Sequence, residues 1–114
     1  MIFFFLNIFL FLDDYYNAKE YFVKSLELDE DDYASLYNAL YCFEFLELYE
    51  DAIAFLNNFL ERNPYCEVAW HQLGKLYFNV GDYPKALTAF DFAIISDDLF
   101  VGAYIEKGKT LEKL

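Results

Sequence analysis

The side chains that could take part in catalysis or metal binding are few, and they are scattered along the 114 residues. His71 is the only histidine, and no carboxylate adjoins it in the sequence to orient it as a base. Cys42 and Cys66 have neither a CxxC spacing nor any other metal spacing. We therefore interpret them as buried or half-buried free thiols, which fits a reducing compartment and favours a cytoplasmic location. The pattern favours a solvated or packed His71 over a catalytic or metal-binding one.

Runs of acidic residues are the second candidate for chemistry. The run DEDD at 29–32 invites a calcium interpretation, but the glycine and the downstream glutamate of a calcium loop are missing. The pairs Asp13–Asp14 and Asp97–Asp98 recur between apolar segments, which is typical of turns rather than of acid–base pairs. The sequence also has no phosphate loop, HExxH, GxSxG or glycine-rich dinucleotide turn. We therefore expect a protein that is not an enzyme and that binds no metal or cofactor.

The net charge of −12 argues against two classes of partner. Nucleic-acid-binding proteins need a basic surface to displace counterions, and an anionic membrane surface repels an acidic protein. We therefore expect no nucleic-acid partner and regard membrane binding as disfavoured. The charge is uneven, because residues 1–66 hold 13 acids and three bases whereas residues 67–114 hold seven acids and five bases. An anionic ligand should prefer the C-terminal half.

The first twelve residues, MIFFFLNIFLFL, are apolar except for Asn7. They lack the basic start and the small-residue cleavage site of a signal peptide, and they are shorter than the roughly 20 apolar residues of a membrane span. We predict instead a buried helix, roughly 18 Å long at ~1.5 Å per residue. Because this helix is apolar all round, it needs a cover on both sides, either a neighbouring repeat or a second copy of the chain.

The apolar residues repeat with a period of 34. A shift of this length places Ala86 on Ala52 and Gly108 on Gly74, and large apolar residues likewise fall on large ones. Between these positions apolar residues recur at i, i+3, i+4 and i+7, which is the helical period. Asp82 is a good N-cap, and Pro84 would then lie in the first turn of its helix. Short polar breaks divide the chain into seven predicted helices, at about 1–12, 15–28, 33–46, 50–62, 66–80, 83–96 and 99–113.

A 34-residue helix–turn–helix period with the pattern W-x2-L-G-x2-Y, followed by Ala and Phe, resembles the tetratricopeptide repeat. The pattern is most complete in residues 67–100, with Trp70, Leu73, Gly74, Tyr77, Ala86, Phe90 and Ala93. The other units are about 1–32 and 33–66, followed by a terminal helix at 101–114. The resemblance thus covers essentially the whole chain as a single array of about three repeats. It implies an all-α fold, a right-handed α-solenoid (superhelix) of antiparallel helix pairs.

The small residues of this pattern have a packing role. Gly74 and Ala86 lack bulk at positions where we expect the two helices of one unit to cross closely. We expect Phe90 and Trp70 to fill the space between units, because stacking of units supplies the core of such arrays.

The resemblance also implies a function. In this family the first helices of the repeats line a concave groove that commonly holds an extended or helical peptide of a partner protein. Tyr and Asn suit such a surface, since a rigid aromatic ring gives contact area and an amide meets backbone groups. The spacing of Tyr37, Tyr41 and Phe45 at i, i+4 and i+8 also fits core positions, however. The residues expected to face the groove are Asn7, Tyr37, Asn38, Tyr41, Phe45, His71, Gln72, Lys75, Asn79, Ile105 and Lys109.

One subclass of the family grips the terminal carboxylate of chaperones with three cations and two asparagines. Asn7 and Asn38 match the two amide positions, but Phe3, Val68 and Gln72 stand where the cations belong. Without charge-assisted partners for the carboxylate, we do not expect this chain to bind chaperone tails.

The basic residues of the C-terminal half are interpreted in two ways. Lys75 and Lys109 are one period apart, and together with Lys107 and Lys113 they either dock an acidic or C-terminal peptide segment or offset nearby carboxylates on a solvated face.

Two functions follow from these observations. The first is a non-enzymatic scaffold that binds a partner peptide or domain in its groove. The second is a structural or self-association role, as a segment of a longer array or as a homo-oligomer formed through the apolar first helix or the uncovered C-terminal helix. Membrane contact through residues 1–12 is a weaker third possibility.

Overall fold

The computed structural model describes Ile2–Leu114, with side chains from Leu12 onward, and all regular secondary structure in this part of the chain is α-helical. Consecutive helices are joined by turns of three or four residues, so consecutive helices that pack together run antiparallel. The described helices are α1 (Ile2–Leu28), α2 (Tyr33–Phe45), α3 (Tyr49–Arg62), α4 (Glu67–Asn79), α5 (Tyr83–Ser96) and α6 (Val101–Lys113).

The prediction of seven helices was wrong at one place. The segments 1–12 and 15–28 form the single helix α1, which passes through Asp13 and Asp14 without a break. Neither residue is Gly or Pro, and an Asp costs a helix less than ~0.7 kcal/mol relative to Ala. Both side chains are exposed, so their charges stay in water. The bounds of the other five helices agree with the prediction to within two residues.

Two acidic turn residues, Asp32 and Asp82, cap the helices that follow them, and the cap at Asp82 was predicted from the sequence. The Asp32 carboxylate accepts hydrogen bonds from the Ser35 backbone N–H (3.1 Å) and from the Ser35 hydroxyl (2.6 Å). Both bonds stabilise the charged form of Asp32 and so hold its pKa below the usual value. The bond from the Ser35 hydroxyl has the larger effect. Asp82 accepts from the backbone N–H of Lys85 (3.3 Å), and Pro84 lies in the first turn of α5 as predicted.

Two helices end with the same turn, one period apart. After α4, Gly81 has a φ of 85°, and the next N–H, of Asp82, bonds the carbonyl of Tyr77 at 2.9 Å. After α2, Glu47 takes the same left-handed conformation with a φ of 58°. The next N–H again reaches back five residues, from Leu48 to the carbonyl of Phe43 at 2.9 Å. This is the Schellman end, whose left-handed residue is normally glycine.

The described chain divides into two compact units, Met1–Leu48 and Tyr49–Leu114. In the first unit α1 packs on α2. The residues of α2 that face inward are almost fully buried, which anchors one side of the helix and leaves its other side exposed. Among the side chains of this unit that the structure describes, the buried apolar ones are Leu26, Leu36, Ala39, Leu40, Cys42 and Phe43.

In the second unit each helix packs on the next along the chain, and α6 also contacts α4. Gly74 and Ala86 are buried between α4 and α5, as predicted for a close crossing. The ring of Phe90 lies on Gly74, and it therefore fills the crossing within one helix pair. Small residues allow this close packing, namely Ala52, Ala69, Ala86, Ala89, Ala93 and Ala103, which are each at most 2% exposed. The division into repeats at 1–32, 33–66, 67–100 and 101–114 stays a prediction.

Candidate functional site

Three aromatic side chains of α2 lie exposed along one side of the helix. Tyr37, Tyr41 and Phe45 are 45%, 60% and 41% exposed, and their spacing of four residues keeps them on one face. Tyr15 of α1 extends this surface. Its ring stacks on that of Phe45, with 4.0 Å between centroids and 15° between planes, and its centroid lies 6.3 Å from that of Tyr41. We call these four residues the α2 aromatic face.

The sequence interpretation missed Tyr15. The contact between Tyr15 and Phe45 joins two helices, so no local spacing in the sequence predicts it. In addition, Asp13–Asp14 had suggested a turn just before Tyr15. Partial burial, followed by the neighbouring Tyr41, raises the pKa of the Tyr15 hydroxyl above its ordinary value. This hydroxyl is therefore neutral at physiological pH.

Two asparagines of this unit were predicted to face the groove, and the structure describes the side chain of one of them, Asn38. Asn38 is exposed on α2, three residues before Tyr41, where its amide is accessible to a peptide backbone. Asn7 belongs to α1, but its side chain lies outside the described ones. The expected role of Asn7, like the covering of the apolar residues 1–11, stays a prediction.

The inward side of α2 is fixed by a cation and a thiol. Lys19 of α1 is only 14% exposed, and its ammonium lies 5.3 Å from the centroid of the Phe43 ring, within cation–π range. Burial raises the pKa of the Cys42 thiol, and the charge of Lys19 opposes this shift only in part. Cys42 is therefore a protonated packing residue. Both cysteines are free and buried, which agrees with their interpretation as structural thiols.

The remaining predicted groove residues lie in the second unit, on the neighbouring helices α4 and α6. On α4, Gln72 and Lys75 are half-buried and Asn79 is exposed. On α6, Ile105 is 53% exposed, and Lys109 is exposed with its ammonium 3.7 Å from the Glu106 carboxylate.

The lysines of this unit are partly neutralised by carboxylates. Lys107 pairs with Asp91 at 2.7 Å, and Lys109 pairs with Glu106. Two of the four lysines noted in the sequence thus have an acidic partner. This favours the interpretation that they offset nearby carboxylates over that of an anion-binding cluster.

His71 is a packed residue at the contact between α4 and α6. Its ring meets that of Phe100 edge-on, with 4.9 Å between centroids, and a Cβ at Gly102 would lie 3.3 Å from its Nε2. Both ring nitrogens are buried and have no hydrogen-bond partner among the described residues. Burial, followed by the charge of Lys75, lowers the pKa of His71, while Glu106 opposes the shift. The imidazole is therefore neutral at pH 7. His71 as a whole is half-buried, and its place in a groove stays a prediction.

A small cleft lies between α3, α4 and α5, away from the residues predicted from the sequence. Its volume is about 190 Å³. Trp70 and Phe92 form one wall, with stacked rings 4.7 Å apart, and the indole N–H donates to the carbonyl of Pro64 at 2.8 Å. At the other end the Asn57 amide contacts the Tyr77 hydroxyl at 3.3 Å. Since small-molecule sites usually measure roughly 300–1,000 Å³, this cleft has room for about one side chain.

Two further observations concern the part of the chain that the structure describes. No group of three or more His, Cys, Asp and Glu side chains there is arranged to hold a metal ion. No helix in the same part is long and apolar enough to cross a membrane.

The comparison with protein families identifies the class of this protein. The tetratricopeptide-repeat family model matches residues 2–32 and 68–94, which together are about half of the chain. The second match contains all but the first residue of α4 and most of α5, the helix pair in which Phe90 lies on Gly74. The protein therefore belongs to the tetratricopeptide-repeat family, whose members are in general protein-interaction scaffolds and typically not enzymes. The search of curated proteins gives no match.

Proposed function

We propose that this protein is an interaction scaffold whose α2 aromatic face binds a peptide segment of a partner protein. The observation that carries the proposal is the set of three aromatic side chains, each more than 40% exposed, on one side of α2. Tyrosine and phenylalanine rings give large contact areas at a small cost in conformational entropy, which is why they dominate binding surfaces. The stack of Tyr15 on Phe45 holds part of this surface in place before a partner arrives.

The charge around this face selects the kind of peptide. Residues 1–48 carry ten carboxylates and two lysines, Lys19 and Lys24. Lys19 is largely buried, so the accessible charge of this unit is strongly negative. A basic peptide is attracted to such a surface and an acidic one is repelled. The partner segment therefore combines Lys or Arg with an apolar or aromatic anchor that packs between Tyr37, Tyr41 and Phe45.

The chain is poorly suited to gripping a terminal carboxylate. Val68, at one position where the chaperone-binding subclass has a cation, is only 8% exposed and belongs to the core. Gln72, at another, is neutral and half-buried. These observations support an internal peptide segment as the ligand.

The test begins with a peptide library. Random 12-residue peptides displayed on phage are selected on the full chain, and the best binders are measured by fluorescence anisotropy. We expect enrichment of Lys, Arg and aromatic residues. We also expect the double variant Tyr37→Ala/Tyr41→Ala to weaken binding by about tenfold or more, as for loss of central aromatic contacts.

A matched control is Tyr65→Ala, because Tyr65 is 76% exposed but lies in the turn between α3 and α4. This variant should bind the selected peptides as the wild type does, and circular dichroism should show unchanged helix content in all variants. If the double variant keeps full affinity while Lys75→Glu loses it, the peptide site lies in the second unit and the proposal is overturned.

A further inference from the structure

The cleft between α3, α4 and α5 is lined by residues of the second unit alone, and none of them belongs to the α2 aromatic face. Its volume of about 190 Å³ exceeds the roughly 150 Å³ of an engineered apolar cavity that binds benzene. The cleft therefore has room for one phenyl-sized ring with a short chain, which is about the size of a large side chain.

One group of the side chains that line the cleft is apolar. The rings of Trp70 and Phe92 stack with 4.7 Å between their centroids, and the buried residues Leu73 and Ala89 also line the cleft. The Trp70 indole N–H already donates to the carbonyl of Pro64 at 2.8 Å, so the only polar atom of this side chain is satisfied. Such a wall favours an aromatic ligand, whose ring packs against the stack in an offset or edge-on arrangement.

The second group of lining side chains is polar, and its capacity for hydrogen bonds is only partly used. The Tyr77 hydroxyl accepts from the Asn57 amide at 3.3 Å, and its own proton is bonded to no described residue. The Lys85 ammonium lies 5.7 Å from the centroid of the Tyr77 ring, and its ion pair with Asp82 is long at 3.8 Å. Two neighbouring side chains of the cleft thus offer donors to a ligand, one from a hydroxyl and one from an ammonium group.

The charge of the cleft selects an anion. Lys85 is the only charged residue among the described residues that line it. A carboxylate is attracted to this ammonium, whereas a cationic group is repelled by it. Because a carboxylate has two oxygens, it can accept from the Lys85 ammonium and from the Tyr77 hydroxyl at the same time. A cationic group has no acceptor for either donor.

We propose that this cleft binds a small aromatic carboxylate, whose ring packs against the Trp70–Phe92 stack and whose carboxylate accepts from Tyr77 and Lys85. The site shares no residue with the α2 aromatic face. Binding of this ligand and binding of a partner peptide can therefore succeed or fail independently of each other.

The probe for the test is 3-phenylpropionate, which is titrated into the full chain. Trp70 is the only tryptophan of the chain, so its fluorescence reports on the cleft. We expect a saturable change in this fluorescence with a Kd on the order of 1 mM, as suits a ligand of this size. In NMR spectra the indole N–H resonance of Trp70 should shift along the same curve. The absence of a saturable change would contradict the proposal.

Two variants each remove one of the proposed donors. Lys85→Gln removes the charge of an exposed side chain, and Tyr77→Phe removes only a hydroxyl from a half-buried ring, so both should fold. Each should weaken the binding of 3-phenylpropionate by about threefold or more, as for the loss of one hydrogen bond to a charged group. The matched control is Lys109→Gln, because Lys109 is exposed on α6 and does not line the cleft. This variant should keep the affinity of the wild type.

A second ligand tests the need for a negative charge. 3-Phenylpropylamine has the same ring and chain as the probe but carries a positive charge, and it should bind about tenfold more weakly or worse. Equal binding of the acid and the amine would overturn the proposal, and so would an affinity for the acid that neither Lys85→Gln nor Tyr77→Phe changes. Tighter binding of a terminally blocked Phe-Glu dipeptide than of the probe would also overturn it, because that result would assign the cleft to side chains of a partner protein.

Discussion

The ring of Phe90 occupies the space in which a side chain at Gly74 would begin. A Cβ at Gly74 would lie 2.5 Å from Cε1 and 2.6 Å from Cδ1 of that ring, closer than real Cβ atoms come to other heavy atoms. Because Phe90 is completely buried, its ring has little room to withdraw. Gly108, one period later, has open space instead. The same residue type thus meets opposite surroundings at equivalent positions.

This contrast predicts opposite effects of the same substitution. Gly74→Ala should lower the free energy of unfolding by about 1–3 kcal/mol, because the added methyl group overpacks the α4–α5 crossing. Gly108→Ala should raise it by up to about 1 kcal/mol, because Ala favours the helix and meets no neighbour. Urea denaturation of the two variants and the wild type measures both. Changes of equal sign would contradict the described crossing.

The two left-handed helix ends predict a second pair of effects. Glu47→Gly should stabilise the chain by about 0.5–1 kcal/mol, because Glu in the left-handed region is strained whereas Gly is not. Gly81→Ala should destabilise it by about 1–2 kcal/mol for the converse reason. Thermal melts followed by circular dichroism test both. Since a Cβ at Gly81 meets nothing within 4 Å, a loss of stability there would come from the backbone and not from a clash.

His71 predicts a dependence of stability on pH. Its pKa in the folded protein is lowered, so the unfolded chain binds the proton more readily. Its contribution to stability is therefore present above the unfolded pKa of about 6.5 and is lost as the pH falls toward the folded value. His71→Phe keeps a ring against Phe100 but cannot take up a proton. The wild type should lose more stability than this variant between pH 7.5 and pH 5.

The pH dependence that comes from His71 can be isolated, because the other charged groups involved are present in both proteins. Lys75 and Glu106 are the charged groups that act on His71, and both are still present in His71→Phe. Asp32, whose pKa is also lowered, loses its contribution only below its ordinary value of 3.8 and does so in both proteins. Parallel urea titrations at each pH therefore report His71 in their difference. If the difference in the free energy of unfolding between the wild type and His71→Phe stays constant with pH, the imidazole is solvated rather than packed.

The α2 aromatic face predicts a separation of binding from stability. Tyr41 is 60% exposed, so Tyr41→Ala should change the free energy of unfolding by less than about 0.5 kcal/mol. Phe45 is stacked on Tyr15, so Phe45→Ala should cost about 0.5–1.5 kcal/mol through the lost ring pair. Urea denaturation compares the two. A larger cost for Tyr41 than for Phe45 would place Tyr41 in the core, the alternative that its spacing allowed.

Much of the fold could be predicted from the sequence because its signals are local. The 34-residue period, Asp82 as an N-cap and Pro84 in the first turn of α5 each depend on residues close together in the chain, and each agrees with the structure. The predicted helix break at Asp13–Asp14 was wrong, because two exposed Asp residues alone do not stop a helix. The turns at 29–32 and 80–82, by contrast, contain an N-cap residue or a glycine in the left-handed conformation.

The sequence by itself determined the family, the helix spacing and the positions where small residues allow helices to cross, since periodicity and residue size are properties of the chain. Only the tertiary structure decided which apolar side chains are covered. Tyr37, Tyr41 and Phe45 have a spacing that suits a core as well as a surface, and Gly74 and Gly108 occupy the same place in the period. The difference lies in whether another helix is present against that face, and a residue's own neighbours in the sequence do not carry that information.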